Sequence, residues 1–130
     1  MPAKHEGSAL ILVVEKDPHI RRLEEFFLER AGYAVEFAGD GEEALRRARS
    51  LRPAIVISEI LVPKLDGLAL CWKLKNDPAT RHIAVLIFSI LAAAHRAREA
   101  GADAFLMKPL EDEKLVDIVQ RLLAVEQEAT

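Results

Sequence analysis

Five residues of this 130-residue sequence stand where chemistry could be done. Glu15, Lys16, Glu59, Ser89 and Lys108 each close an apolar run. A charge set at the end of a buried run is costly unless it is paired. Two carboxylates, two ammonium groups and a hydroxyl, if the fold gathers them, therefore make a site or the remains of one. Asp17 adjoins them, but it precedes Pro18 and fits a helix N-cap better than a ligand. Other chemistries are poorly supplied. His5, His19, His82 and His95 are scattered, with no metal-ligand spacing. The turn Gly39-Asp40-Gly41 lacks the GxGxxG pattern of a phosphate loop. Cys71 is the single cysteine, which excludes an internal disulfide and reads as a small hydrophobe.

The elements that must position these residues follow from apolar periodicity. Ala9–Val14, Ala54–Ser58 and Ile83–Phe88 are continuous apolar runs, as expected of strands buried on both faces. Tyr33–Ala38 and Ala104–Met107 are shorter strands. Helices are predicted after each. The first opens at Asp17-Pro18, turns Ile20, Leu23, Phe26, Phe27 and Ala31 inward, and stops at Gly32. The second starts at Asp40-Gly41 with Ala44, Leu45, Ala48 and Leu51 inward. Asp66 caps a third carrying Leu70, Cys71 and Leu74. A short fourth spans Leu91–Ala100. The last places Leu115, Ile118, Val119, Leu122 and Leu123 on one stripe. Five strand–helix alternations with short connections predict a doubly wound α/β fold, a parallel sheet with helices on both faces, for which two strand orders are usual. In the five-stranded order 2-1-3-4-5, strands one and three are neighbours and Glu15, Lys16 and Glu59 converge. Ligand crevices in such folds lie beyond the carboxyl ends of the strands, where the five residues sit.

Composition bounds the rest. The chain is 51% hydrophobic and 30% charged, too apolar for a disordered segment. Its length suits one domain, residues 9–124, between an N-terminal tail (1–8) and a C-terminal tail (125–130). The net charge of −3 argues against non-specific nucleic-acid binding. The longest apolar stretch, Ile83–Ala94, is broken by Ser89 and falls short of a membrane span. A single cysteine suits a reducing, cytoplasmic setting.

Three motifs in order, ILVVEKDP (11–18), PAIVISEILVPKLDG (53–67) and GADAFLMKP (101–109), carry a resemblance to the receiver domains of two-component response regulators, over Ala9 to Ala124. The resemblance implies a CheY-like, flavodoxin-like fold and a role in bacterial phosphorelay signalling. It places the family's Mg²⁺-holding acidic pair at Glu15 and Lys16, and its phospho-accepting aspartate at Glu59. The conserved hydroxyl falls on Ser89, the conserved lysine on Lys108 before a cis bond to Pro109, and the switch aromatic on Phe105.

Three positions depart from the family. Lys16 replaces an oxygen ligand with a cation, so Glu15, Glu59, Lys16 and Lys108 sum to zero and leave no charge for a metal to neutralise. The Lys16 ammonium is expected to replace the ion. Glu59 is one methylene longer than aspartate, and a misplacement of about 1 Å can cost on the order of 100-fold in rate. Ile90 is bulky where the family keeps a small residue, and the segment to Gly101 is short. The expectation is a degenerate receiver, or pseudo-receiver. It would be no enzyme, would hold no Mg²⁺ or other cofactor, and would act by binding a protein. A histidine kinase or another signalling protein is the expected partner class, and a homodimer is compatible with it. A second expectation for Glu59 is that it stands in for phosphoaspartate by reaching Ser89 or Lys108. The alternatives are an atypical phospho-receiver using Glu59 and a small-ligand binder in the same crevice.

Overall fold

A computed structural model describes residues 8–129, the last five by backbone alone. The expected residues 1–7 of the N-terminal tail, with His5, and Thr130 lie outside the described residues. Strands β1 (Leu10–Val14), β2 (Ala34–Ala38), β3 (Ile55–Ser58), β4 (Ala84–Ser89) and β5 (Ala104–Met107) alternate with helices α1 (Pro18–Arg30), α2 (Gly41–Leu51), α3 (Gly67–Lys75), α4 (Ala94–Glu99) and α5 (Asp112–Ala129). All four strand pairings are parallel, in the order β2-β1-β3-β4-β5. The helix α5 runs on through the segment expected as a C-terminal tail.

Two apolar layers flank the sheet because strand side chains alternate in direction. Leu12, Val14, Val56, Val85 and Ile87 pack against Ala44 and Ala48 of α2, Leu70, Cys71 and Leu74 of α3, and Ala97 of α4. Ile11, Val13, Ile55, Ile57, Leu86 and Phe88 pack against Leu28 of α1 and Leu115 and Val119 of α5. Burying each Leu, Ile or Val side chain contributes about 1.5–3 kcal/mol. Three aspartates start the helices that leave the carboxyl edge. Asp17, Asp40 and Asp66 accept from the amides of His19, Glu43 and Ala69 at 2.9, 2.8 and 2.9 Å.

Two elements differ from the sequence expectation. The helix α4 begins at Ala94 rather than Leu91, because the Leu91 carbonyl, which a helix starting there would offer to the amide four residues on, accepts instead from Ala93 N–H at 3.0 Å in a tight turn. Ile90 N–H donates to Glu59 and Leu91 N–H donates to Ser89 Oγ. The inward stripe of α1 is also rotated. Phe26 is exposed, while Glu24 and Leu28 are the buried residues of the helix. Leu28 fills the core under β1 and β3, and the Phe26 ring meets Phe27 edge-on at the surface.

Candidate functional site

The carboxyl edge of the sheet brings four of the expected residues together. Pairing of β1 with β3 sets Val14 beside Ser58, so Glu15 and Glu59 leave neighbouring strands side by side. Pairing of β4 with β5 sets Ser89 beside Met107, and Lys108 N–H donates to the Ser89 carbonyl at 2.8 Å. The Lys108–Pro109 peptide is cis. The Lys108 ammonium lies 2.7 Å from Glu15 Oε1 and 3.0 Å from Glu59 Oε2, and 5.6 Å over the Phe88 ring.

Glu59 is the most heavily bonded group of the site, though it is buried. Its Oε1 accepts from the Ser89 hydroxyl, from Ile60 N–H at 2.6 Å and from Leu61 N–H at 3.3 Å. Its Oε2 accepts from Lys108 and from Ile90 N–H at 3.2 Å. A carboxylate offers about four lone-pair positions, so this one is saturated. The Ser89 hydroxyl is itself oriented by Leu91 N–H at 3.1 Å, which leaves its proton for Glu59. Burial alone would raise the Glu59 pKa. The Ser89 and Lys108 bonds outweigh it and hold the group below the ordinary carboxylate range. Burial would likewise lower Lys108, and its bonds to Glu15 and Glu59 raise it instead.

The loop after β3 is held against this cluster by close backbone approach. Gly67 N–H donates to the Ile60 carbonyl at 2.9 Å, and a β-carbon at residue 67 would collide with the Glu59 carbonyl. Ser58 Oγ donates to that same carbonyl at 2.8 Å. The path of the loop thus aims the Ile60 and Leu61 amides back at the Glu59 side chain.

Lys16 does not join the cluster. Its side chain is exposed and, among the described residues, makes no ion pair with either carboxylate. The reason is local: Asp17 N–H turns back to Glu15 Oε2 at 3.2 Å, and α1 starts at once, which sends residue 16 outward. The expectation that Lys16 takes the place of a metal ion is therefore corrected. The ammonium between the two carboxylates belongs to Lys108, and Glu15, Glu59 and Lys108 together carry −1. The bulk of Ile90 also does not fill the site. The residue is 62% exposed, and its amide is the group that bonds Glu59. Phe105 is half-buried against the α2–α4 layer and borders a cavity of about 270 Å³ between α4 and β5.

Sequence reasoning missed two features. The amides of Ile60, Leu61 and Ile90 carry no side-chain signature. Glu24 is buried on α1, and its position in the stripe Ile20, Leu23, Glu24, Phe27, Leu28 was its signal.

Comparison with known proteins gives this geometry its family. A family model described as response regulator receiver domain matches residues 11–120. The chain belongs to the response regulator receiver domain family. The response regulator PleD of Caulobacter vibrioides is 39% identical over 118 residues, covering 88% of this chain and 26% of that protein. The DNA-binding dual master transcriptional regulator RpaA of Synechocystis is 34% identical over 116 residues, covering 87% of this chain and 48% of that protein. The chain thus spans about half or less of these curated relatives. Among solved structures, the signal receiver domain of a signal transduction histidine kinase from Syntrophus aciditrophicus superposes with a TM-score of 0.85. It is 39% identical, and the match covers 90% of this chain and 91% of that one. No helix among the described residues is long and apolar enough to cross a membrane.

Proposed function

We propose that this receiver works as a protein-binding module whose signalling state is held by Glu59 itself rather than by phosphorylation. The observation that carries the reading is the saturation of the Glu59 carboxylate by Ser89, Lys108 and the amides of Ile60, Leu61 and Ile90. In the family resemblance, the Ser89 and Lys108 positions serve the phosphoryl group. Here the longer side chain of glutamate carries its own oxygens to those donors. A nucleophile in phosphoryl transfer needs a free lone pair aligned with phosphorus, and the reaction depends on positioning and charge neutralisation. Neither Glu59 oxygen is free in this arrangement.

The residues present do not suit Mg²⁺ either. That ion requires octahedral oxygen ligation. Here the Lys108 ammonium bridges Glu15 and Glu59, and a lysine stands at the second acidic position of the family. Among the described residues, no three His, Cys, Asp or Glu side chains are grouped to hold a metal. The partner is a signalling protein of the cytoplasm, such as a histidine kinase, that reads the loops around Glu59, where Leu61, Ile90 and Met107 expose apolar surface. The chain has no catalytic role of its own in this reading.

The test is a Mg²⁺ titration followed by amide NMR up to about 20 mM, a range set by the weak binding of sites with few carboxylates. The double variant Lys16→Asp, Glu59→Asp is the control. Shifts around residue 59 in the control alone support the reading. Saturable shifts there in the native protein overturn it in favour of an atypical phospho-receiver.

A further inference from the structure

The two helix layers of this receiver present opposite charge. On the side of α2 and α3, Arg46, Arg49 and Arg52 recur every third residue along α2 and its C-cap, all of them exposed. The helix α3 packs beside α2, and the Arg49 guanidinium reaches Asp77, just past α3, at 3.3 Å. Asp77 also shapes its own loop: its carboxylate accepts from Ala79 N–H at 2.9 Å and its carbonyl from Arg81 N–H at 2.8 Å. Arg52, Lys73 and Arg81 are exposed and make no ion pair among the described residues. Next to Lys73 stands Trp72, the single tryptophan of the chain, 55% exposed.

On the side of α1 and α5 the charge is reversed. A groove of about 360 Å³ opens between these helices. Phe27, Ala31 and Val116 supply its apolar lining, and Asp112, Glu113 and Asp117 of α5 line it beside them. These acids make no ion pair among the described residues. The helix dipole accounts for Asp112 and Glu113 in the first turn of α5, but it fades within that turn and leaves Asp117 unexplained. Arg30, the cation of the groove, lies 6.0 Å over the ring of exposed Phe26. Phe26 meets Phe27 edge-on with centroids 5.6 Å apart, so exposed aromatic surface leads into the groove.

We propose that a second copy of this chain docks here head to tail: Trp72 of one copy enters the α1–α5 groove of the next, and the cations around it meet Asp112, Glu113 and Asp117. Charge favours this pairing over a symmetric one. A two-fold contact through either face would set acids against acids or cations against cations, and like charges across an interface are costly. Tryptophan is a frequent interface anchor when a rim of polar contacts keeps water from it. Phe26 at the groove offers the indole a second ring to pack on. Tryptophan and groove lie on opposite faces of the sheet, so the contact does not close on itself, and each added copy leaves one of each free. The contact uses neither Glu59 nor the loops around it, and so does not depend on the function proposed above.

Sedimentation velocity of the full chain from about 10 μM to about 1 mM, a range that brackets weak association, is the test. In about 0.05 M salt the mean mass should rise with concentration past that of a dimer. It should fall back toward the monomer in about 1 M salt, where the screening length is only about 3 Å. Trp72 emission should move to shorter wavelength over the same concentrations as the indole leaves water. Trp72→Ala and Asp117→Lys, both at exposed positions, should each weaken association by at least about tenfold, as removal of an anchor does. An equimolar mixture of the two variants should form a one-to-one dimer and nothing larger, because the first keeps its groove and the second its tryptophan. A native chain that stays monomeric, or that stops at a dimer, overturns the proposal. So does association unchanged by salt or by either variant, and so does a mixture of the variants that stays monomeric.

Discussion

Replacing Glu24 by leucine should stabilise the protein, and by an amount that grows with pH. The wild-type carboxyl has an ordinary value of 4.5 and is pushed up to about 8 in the fold, by burial first and by Glu15 next. The sign follows from proton binding. Between these two values the folded chain holds a proton that the unfolded chain has released, so stability falls as pH rises. The Glu24 contribution is fully present below 4.5 and is lost as pH climbs through 8. Each pKa unit is worth about 1.4 kcal/mol. The span of about 3.5 units, rounded at its two ends, gives a loss of about 4 kcal/mol between pH 4.5 and pH 8. Glu24→Leu removes that loss, whatever its packing adds at every pH. Urea unfolding followed by circular dichroism should therefore show a mutant-minus-wild-type difference about 4 kcal/mol more favourable at pH 8 than at pH 4.5. A difference that stays constant between the two pH values refutes the reasoning, because the carboxyl would then ionise alike in both states.

Three further substitutions probe the cluster around Glu59. Lys108→Met leaves Glu15 and Glu59 side by side with no cation, and should cost about 3–5 kcal/mol in the same unfolding assay. Lys16→Ala should change stability by less than about 0.5 kcal/mol, since the side chain is exposed and makes no ion pair among the described residues. A large loss there would return Lys16 to the cluster. Gly67→Ala forces a β-carbon against the Glu59 carbonyl, and should lower the melting temperature and shift the Ile60 and Leu61 amide resonances together.

Much of this architecture could be read from the sequence because the signals were local and repeated. Unbroken apolar runs at Ile11–Val14 and Ile55–Ile57 have no partly solvated face to offer, so they had to be central parallel strands. Asp17, Asp40 and Asp66 each preceded a helical stripe and each caps one. The convergence of Glu15, Glu59, Ser89 and Lys108 followed from strand order. What escaped was set by single turns of backbone. The abrupt start of α1 decides that Glu15 points in and Lys16 out, and no periodicity spans two residues. The α1 stripe was misread by one position because Glu24 breaks the hydrophobic pattern at a buried place and Phe26 breaks it at an exposed one. The start of α4 depended on a tight turn in which Ala93 N–H takes the Leu91 carbonyl, and nothing in the residue types marks that turn.

The central claim is that the Glu59 carboxylate is engaged by the donors that would otherwise serve a phosphoryl group. The most direct measurement is intact-mass analysis after incubation with acetyl phosphate and Mg²⁺, read against the variant Lys16→Asp, Glu59→Asp. The account predicts no mass increase in the native protein and the addition of one phosphoryl group in the variant. A native protein that gains one phosphoryl group, released by hydroxylamine as an acyl phosphate is, would contradict it.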